Sequence, residues 1–243
     1  MTPCFLWKFG LSYKMGVGIK PNTQKKGWMK MKRENKRYFW GGILLLALFV
    51  GWTLLVCYVD VRAIGPNGSA VGLGSINGFV HRMIGVHLWL YVWTDWLSLI
   101  PIAFIMGFGI LGLLEWIQRK SIQKVDADLL ALGGFYIVVM AFYLLFETVV
   151  INYRPVLLNG FLESSYPSST TLLVLCVMPT AILQMERRIK HRGWRKCVVY
   201  AMAAFTVCMV IGRFVSGVHW FSDIVGGVLL GTGLVMIYRA LIK

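Results

Sequence analysis

The sequence predicts an all-α fold, an integral membrane bundle of six transmembrane helices, on three observations. Hydrophobic residues make up 58% of the 243 and charged ones only 14%, whereas soluble domains stay nearer one half and one quarter. Six apolar stretches, approximately 39–59, 96–117, 129–150, 168–185, 198–212 and 221–242, are long enough, or nearly so, to cross a bilayer. The basic residues are also sorted by loop: ten of the 25 Lys/Arg fall in 1–38, three in 118–128, six in 186–197 and two in the tail. The other four, Arg62, Arg82, Arg154 and Arg213, lie in the alternate loops.

That sorting decides what the net charge of +15 means. A nucleic-acid-binding protein gathers its charge into one patch or stripe. Here it forms a skin on one side of the membrane, which suits anionic lipid headgroups at the cytoplasmic face and argues against nucleic acid. Positive-inside bias places both termini in the cytoplasm and segments 60–95, 151–167 and 213–220 outside, in a multi-pass cell-membrane protein. The five cysteines, Cys4, Cys57, Cys176, Cys197 and Cys208, show neither metal-ligand spacing nor a disulfide framework, and read as packing residues.

Taken in order, residues 1–38 are a basic cytoplasmic segment without an apolar run of signal-peptide length, expected to be disordered or to lie on the membrane surface. Met29 and Met31 are alternative starts within it. Residues 39–243 form the membrane domain. After the first span, Ile64-Gly65-Pro66-Asn67-Gly68 is turn-rich. Residues 69–94, with Phe79, His81, His87, Trp89, Tyr91 and Trp93, are expected to form a re-entrant or interfacial piece at the outer surface. Asp95 reads as the N-cap of the second span. The third span runs to Glu147, and Pro155 keeps Arg154 in an extended loop. Ser168 and Ser169 open the fourth span, where serine hydroxyls and unpaired backbone N–H groups offer an anion site or plain N-caps. The fifth span is short unless the Trp194 or Arg213 region joins it.

Between the fifth and sixth spans lie Arg213, His219 and Asp223. Ionisable groups at a membrane edge are costly and point to function. If the helix has begun by His219, Asp223 lies one turn on, on the same face. Its carboxylate can accept from one imidazole nitrogen and leave the other free as a nucleophile. Arg213 supplies a fork of donors for phosphate oxygens. An Arg–Asp tie between helices, with His219 merely interfacial, uses the same residues.

The order of Arg154-Pro155, Pro167-Ser168-Ser169-Thr170 and Arg213…His219…Asp223 resembles the type 2 phosphatidic acid phosphatase family, relatives of the vanadium haloperoxidases. Its motifs are Lys-x6-Arg-Pro, Pro-Ser-Gly-His and Ser-Arg-x5-His-x3-Asp. The resemblance covers roughly residues 39–242, and the third motif matches in all its charged positions, with Gly212 for its serine. It implies that His219 is the nucleophile forming a phosphohistidine and that Asp223 orients it. Arg154, Arg213, Ser168 and the Ser169 backbone would hold the substrate phosphate, with no metal and no cofactor. Two positions depart from the pattern. Glu147 stands for the lysine, which reverses a phosphate-binding charge. Thr170 stands for the histidine that serves as general acid, a loss worth roughly 3–5 kcal/mol of barrier. Glu147, if buried, Glu163 and His81 are the substitute acids at hand. The expected function is hydrolysis of a lipid phosphate at the outer face, with an isoprenoid diphosphate favoured and a phosphatidic acid-type substrate the other choice. The alternative is an impaired descendant that binds lipid phosphates or transports lipid.

Overall fold

A computed structural model describes residues 21–242, with side chains from Arg33 onward. Its helices are α1 (Pro21–Tyr58), α2 (Gly74–Ile84), α3 (Leu88–Leu97), α4 (Leu99–Arg119), α5 (Ala127–Thr148), α6 (Ser169–Arg188), α7 (Arg192–Val215) and α8 (Phe221–Leu241). Among the described residues, β-type pairing is confined to three isolated bridges, including Tyr153 with Ser164. Six helical stretches are long and apolar enough to cross a membrane: Arg33–Tyr58, Leu88–Arg119, Ala127–Thr148, Ser169–Arg188, Arg192–Val215 and Phe221–Leu241. The chain is a multi-pass membrane protein of the all-α class.

Three boundaries differ from expectation. The second span begins at Leu88, because α3 runs almost without a break into α4. Asp95 therefore lies inside α3 instead of capping the span, and Ser98 occupies the N-cap of α4. The interfacial piece shrinks to α2. The fifth span is full length, since α7 starts at Arg192. Residues 21–38 form the first turns of α1, and no proline interrupts them after Pro21. Residues 1–20, Cys4 among them, lie outside the described residues.

Lipid tails are as apolar as leucine, so packing between spans relies on close van der Waals fit. α1 lies along α8, and α6 lies against both α7 and α8. Small residues on α8 permit this. A Cβ built on Gly231 would stand 2.9 Å from Leu175 Cβ of α6, one on Gly233 3.0 Å from Leu46 Cδ2 of α1, and one on Gly226 2.8 Å from the ring of Tyr166 in the loop before α6.

At the end of the bundle where α7 turns into α8, polar side chains lock these helices to the loops. Trp52 Nε1 on α1 donates to the Ser222 carbonyl at 3.0 Å. Thr53 and Tyr166 share a 2.7 Å hydroxyl contact. Asn77 of α2 accepts from Ser222 N at 3.0 Å and donates to Ser222 Oγ at 2.9 Å. α2 is itself capped by Asp60, whose carboxylate accepts from Ser75 N at 2.7 Å and Arg62 Nε at 2.6 Å. Those donors hold the Asp60 carboxyl below its usual range.

Gly226→Leu should drive a side chain into the Tyr166 ring and cost about 1–3 kcal/mol, as overpacked cores do. Thermal unfolding of the purified protein in detergent measures this. An unchanged midpoint would show that α8 does not depend on the close approach.

Candidate active site

Five segments converge at the end of the bundle where α7 turns into α8. The α5–α6 connection brings Asn152, Arg154 and Ser165, and the end of α7 brings Arg213. The turn 216–220 brings His219, the first turn of α8 brings Asp223, and α3 brings Tyr91, Thr94 and Asp95. Arg213, His219 and Asp223 are 1%, 4% and 0% exposed, so each must find partners within the protein.

His219 sits in the turn before α8, not within a helix. Its Nε2 is 3.2 Å from Arg154 Nη1 and 3.4 Å from Arg213 Nη2. Both guanidiniums can only donate, so Nε2 presents its lone pair and the ring proton belongs on Nδ1. Nδ1 lies 3.2 Å from the Ser165 carbonyl and 3.0 Å from Ser165 Oγ. Burial, reinforced by Arg154 and Arg213, pushes the imidazole well below its ordinary pKa, while the Ser165 carbonyl pulls weakly the other way.

Asp223 is not where a helical four-residue spacing would put it. Trp220 is the N-cap of α8 and Asp223 is its third residue, accepting from Trp220 N at 2.9 Å. Its Oδ2 stands 4.0 Å from His219 Nδ1, too far for a hydrogen bond. Ser165 Oγ fills the gap, donating to Oδ2 at 2.5 Å. Asn152 Nδ2 and Ser222 Oγ each donate to Oδ1 at 3.2 Å.

The arginines are braced unequally. Arg154 Nε lies 3.1 Å from Glu163 Oε2, an ion pair without hydrogen-bond geometry. Arg213 packs on the Tyr91 ring, 4.8 Å from its centroid, with Asp95 Oδ1 3.8 Å and Thr94 Oγ1 3.4 Å from Nη1. Arg213 Nε is buried without a hydrogen bond. Gly212 makes this arrangement possible: a Cβ there would stand 2.8 Å from Thr94 Cγ2 and push α3 away.

A narrow cleft of about 20 Å³ runs from His219 and Arg154 past Ser165, Ser169 and Glu147, ending on Phe142, Tyr143, Phe146 and Leu172 of α5 and α6. Ser169 borders it, but Ser168 does not. Ser168 is fully buried, its amide donates to the Asp223 carbonyl, and its hydroxyl accepts from Thr171. Thr170 is buried away from the cleft lining. Glu147 is exposed, not buried, and accepts from Ser164 Oγ at 3.0 Å. His81 and His87 support the turn instead of lining the cleft. His81 Nε2 lies 3.2 Å from the Gly217 carbonyl, and His87 N donates to the Ser216 carbonyl at 2.9 Å. Burial lowers the His81 pKa, opposed by its Gly217 hydrogen bond.

Sequence reasoning missed Ser165 and the α3 face. The spacing of Tyr91, Thr94 and Asp95, three and four residues apart, was the available signal for the latter.

Residues 134–243 match the family model described as PAP2 superfamily. This stretch begins within α5 and carries all the motif positions from Glu147 to Asp223. Among solved structures, the chain is similar to the crystal structure of the first transmembrane PAP2 type phosphatidylglycerolphosphate phosphatase from Bacillus subtilis. The identity is 20%, with 82% of this chain and 93% of that chain covered and a TM-score of 0.49. No curated protein matches.

With its folded pKa depressed, His219 takes up a proton later than it does in the unfolded chain. As pH falls below about 6.5, the unfolded state binds more protons and the folded state loses stability. Arg154→Gln removes one repelling cation and should move the His219 titration upward. Histidine 15N chemical shifts across pH measure it, and an unchanged or lower midpoint would contradict the electrostatic account.

Proposed function

We propose that this protein is a membrane lipid phosphate phosphatase that works through a phosphohistidine on His219 at the extracytoplasmic face. One observation carries the reading: a buried imidazole nitrogen held between two guanidiniums. An anion drawn to Arg154 and Arg213 would meet the lone pair of Nε2. The Nη groups of the two arginines that lie against Nε2 are the donors such an anion would meet there. The amides at the start of α6, beside Ser169, add dipole support. Metal-free neutralisation of this kind needs no cofactor.

In the first half-reaction, Nε2 attacks phosphorus and the P–O bond to the leaving group breaks, its electron pair departing with that oxygen. In the second, water attacks phosphorus and the N–P bond breaks with its electron pair returning to Nε2, so that His219 is restored and the water's protons leave with the product phosphate or pass to solvent. The electron pair comes from a neutral ring, so a depressed pKa keeps the nucleophile available at neutral pH. Phe142, Tyr143, Phe146 and Leu172 make one side of the cleft apolar, the side against which a lipid chain would pack.

The acid end sets substrate preference. Thr170 cannot donate a proton at neutral pH, Glu147 is exposed, and Glu163 is committed to Arg154. A monoester expels an alkoxide, which needs a proton, whereas an isoprenoid diphosphate expels a phosphate that carries its own charge. The favoured substrate is therefore an isoprenoid diphosphate. The same departures at Glu147 and Thr170 favour, as a second reading, a lipid-phosphate-binding or lipid-transport protein without turnover. The cytoplasmic basic segments, 1–38 among them, would rest on anionic lipid headgroups, with both termini inside.

His219→Ala should abolish phosphate release from lipid phosphates by the purified protein, and vanadate should inhibit the wild type without added metal. Near wild-type release by the variant would refute the chemistry. Thr170→His should raise kcat/KM for phosphatidic acid more than for a polyprenyl diphosphate, by up to roughly 100-fold. Equal gains, or a wild-type preference for phosphatidic acid, would remove the leaving-group argument.

Topology is checked with an impermeant thiol reagent on a background free of native cysteines. A cysteine at position 160 should be labelled from outside the cell and one at 192 should not; the reverse pattern would invert the orientation.

A further inference from the structure

The family resemblance leads to an Asp223 that touches His219 directly, and the geometry replaces that contact with another. We propose that Ser165 is a positioning residue, a hydroxyl bridge through which the Asp223 carboxylate acts on the nucleophilic imidazole. The kinetic consequences rest on the phosphatase reading above; the bridge itself does not.

Three distances define it. Oδ2 of Asp223 is 4.0 Å from Nδ1 of His219, and Ser165 Oγ stands between them, 2.5 Å from the carboxylate and 3.0 Å from the ring. A carboxylate only accepts, so the hydroxyl hydrogen points at Asp223. The hydroxyl oxygen is then free to accept from Nδ1–H. The O–H···O⁻ bond is of the short, charge-assisted kind and fixes the rotation of the hydroxyl. The Ser165 carbonyl shares the same Nδ1–H at 3.2 Å, so one residue supplies two acceptors to one ring proton.

Ser165 is itself held. It is 3% exposed, and its amide donates to the Asn152 carbonyl at 2.9 Å, pairing its strand-like segment with the one that carries Arg154. Asn152 then donates to Asp223. The bridge and the phosphate-binding arginine are thus placed by one backbone pairing. When Nε2 bonds to phosphorus, the ring becomes cationic and its Nδ1–H becomes a stronger donor. A hydroxyl polarised by Asp223 meets that change without any proton leaving the ring, and the serine proton stays on oxygen throughout.

The test uses the purified full-length protein in detergent. Ser165→Ala should lower kcat roughly 10–100-fold, the range for losing a group that orients a reactive imidazole, with KM little changed. Ser165→Thr should restore much of the rate. Asp223→Asn should cost much of the wild-type rate yet add less than about threefold in the Ser165→Ala background, because the carboxylate then has no route to the ring. Equal Asp223→Asn factors in the two backgrounds would overturn the bridge, as would a wild-type kcat for Ser165→Ala.

A second measurement stands apart from turnover. The chain has four histidines, so the Nδ1–H signal of His219 can be assigned in a 15N-histidine spectrum. Ser165→Ala should shift it; an unmoved signal overturns the proposal. If that signal shifts while the wild type hydrolyses no lipid phosphate, the bridge stands and the phosphatase reading falls. Should Asp223→Asn fail to fold, because Asp223 caps α8, the two Ser165 variants decide the matter, since they leave that cap intact.

Discussion

A single buried carboxylate holds together the end of the bundle where α7 turns into α8. Asp223 is wholly enclosed and accepts from Trp220 N, Ser165 Oγ, Asn152 Nδ2 and Ser222 Oγ. Those four donors belong to the turn before α8, to both limbs of the α5–α6 connection and to α8 itself. Asn152 also accepts from Gly72 N, and Ser222 bonds Asn77 of α2 and Trp52 of α1, so the network reaches the first half of the chain. Taking a carboxylate out of water is expensive, and such a group persists only when its lone pairs are satisfied. Removing the acceptor would leave several buried donors without partners, each costing about 1–3 kcal/mol. The position of His219 follows from this clamp.

The cationic half of the site is arranged with the opposite logic. Two guanidiniums close to one another and to an imidazole repel, and the fold offsets this only in part. Arg154 has Glu163, and Arg213 has Asp95 at a loose 3.8 Å together with the face of Tyr91. Each retains an Nε–H without a hydrogen bond. A site held short of full compensation would gain most when an anion arrives, and the same charge placement pushes the His219 pKa down. α3 supplies half of the bracing although it precedes the PAP2 superfamily match, so the function of residues 134–243 draws on the preceding segment.

Hydropathy was enough to find the spans, because a bilayer demands long apolar helices whatever their packing. The three polar clusters were also visible in their order along the chain. What the chain did not disclose were the roles that neighbours decide. Asp95 looked like a cap because polarity at the head of an apolar run usually is one, yet the apolar period simply continues back to Leu88. The four-residue spacing of His219 and Asp223 suggested a helical pair, whereas the carboxylate starts the helix after the histidine. Ser168 had the right residue type for phosphate, but Thr171 and the Asp223 carbonyl already occupy it. Ser165 lay in a run of serines with nothing local to single it out, since its importance comes from two residues more than fifty positions away.

The central claim is that the imidazole between Arg154 and Arg213 is the group that takes the phosphoryl. Quenching the protein at alkaline pH during turnover of a polyprenyl diphosphate, digesting it and mapping the modified peptide by mass spectrometry tests this directly. The account predicts phosphate on His219 alone, lost in His219→Ala. Phosphate on another side chain, or turnover that inverts configuration at a chiral phosphorus and so excludes a covalent intermediate, would contradict it.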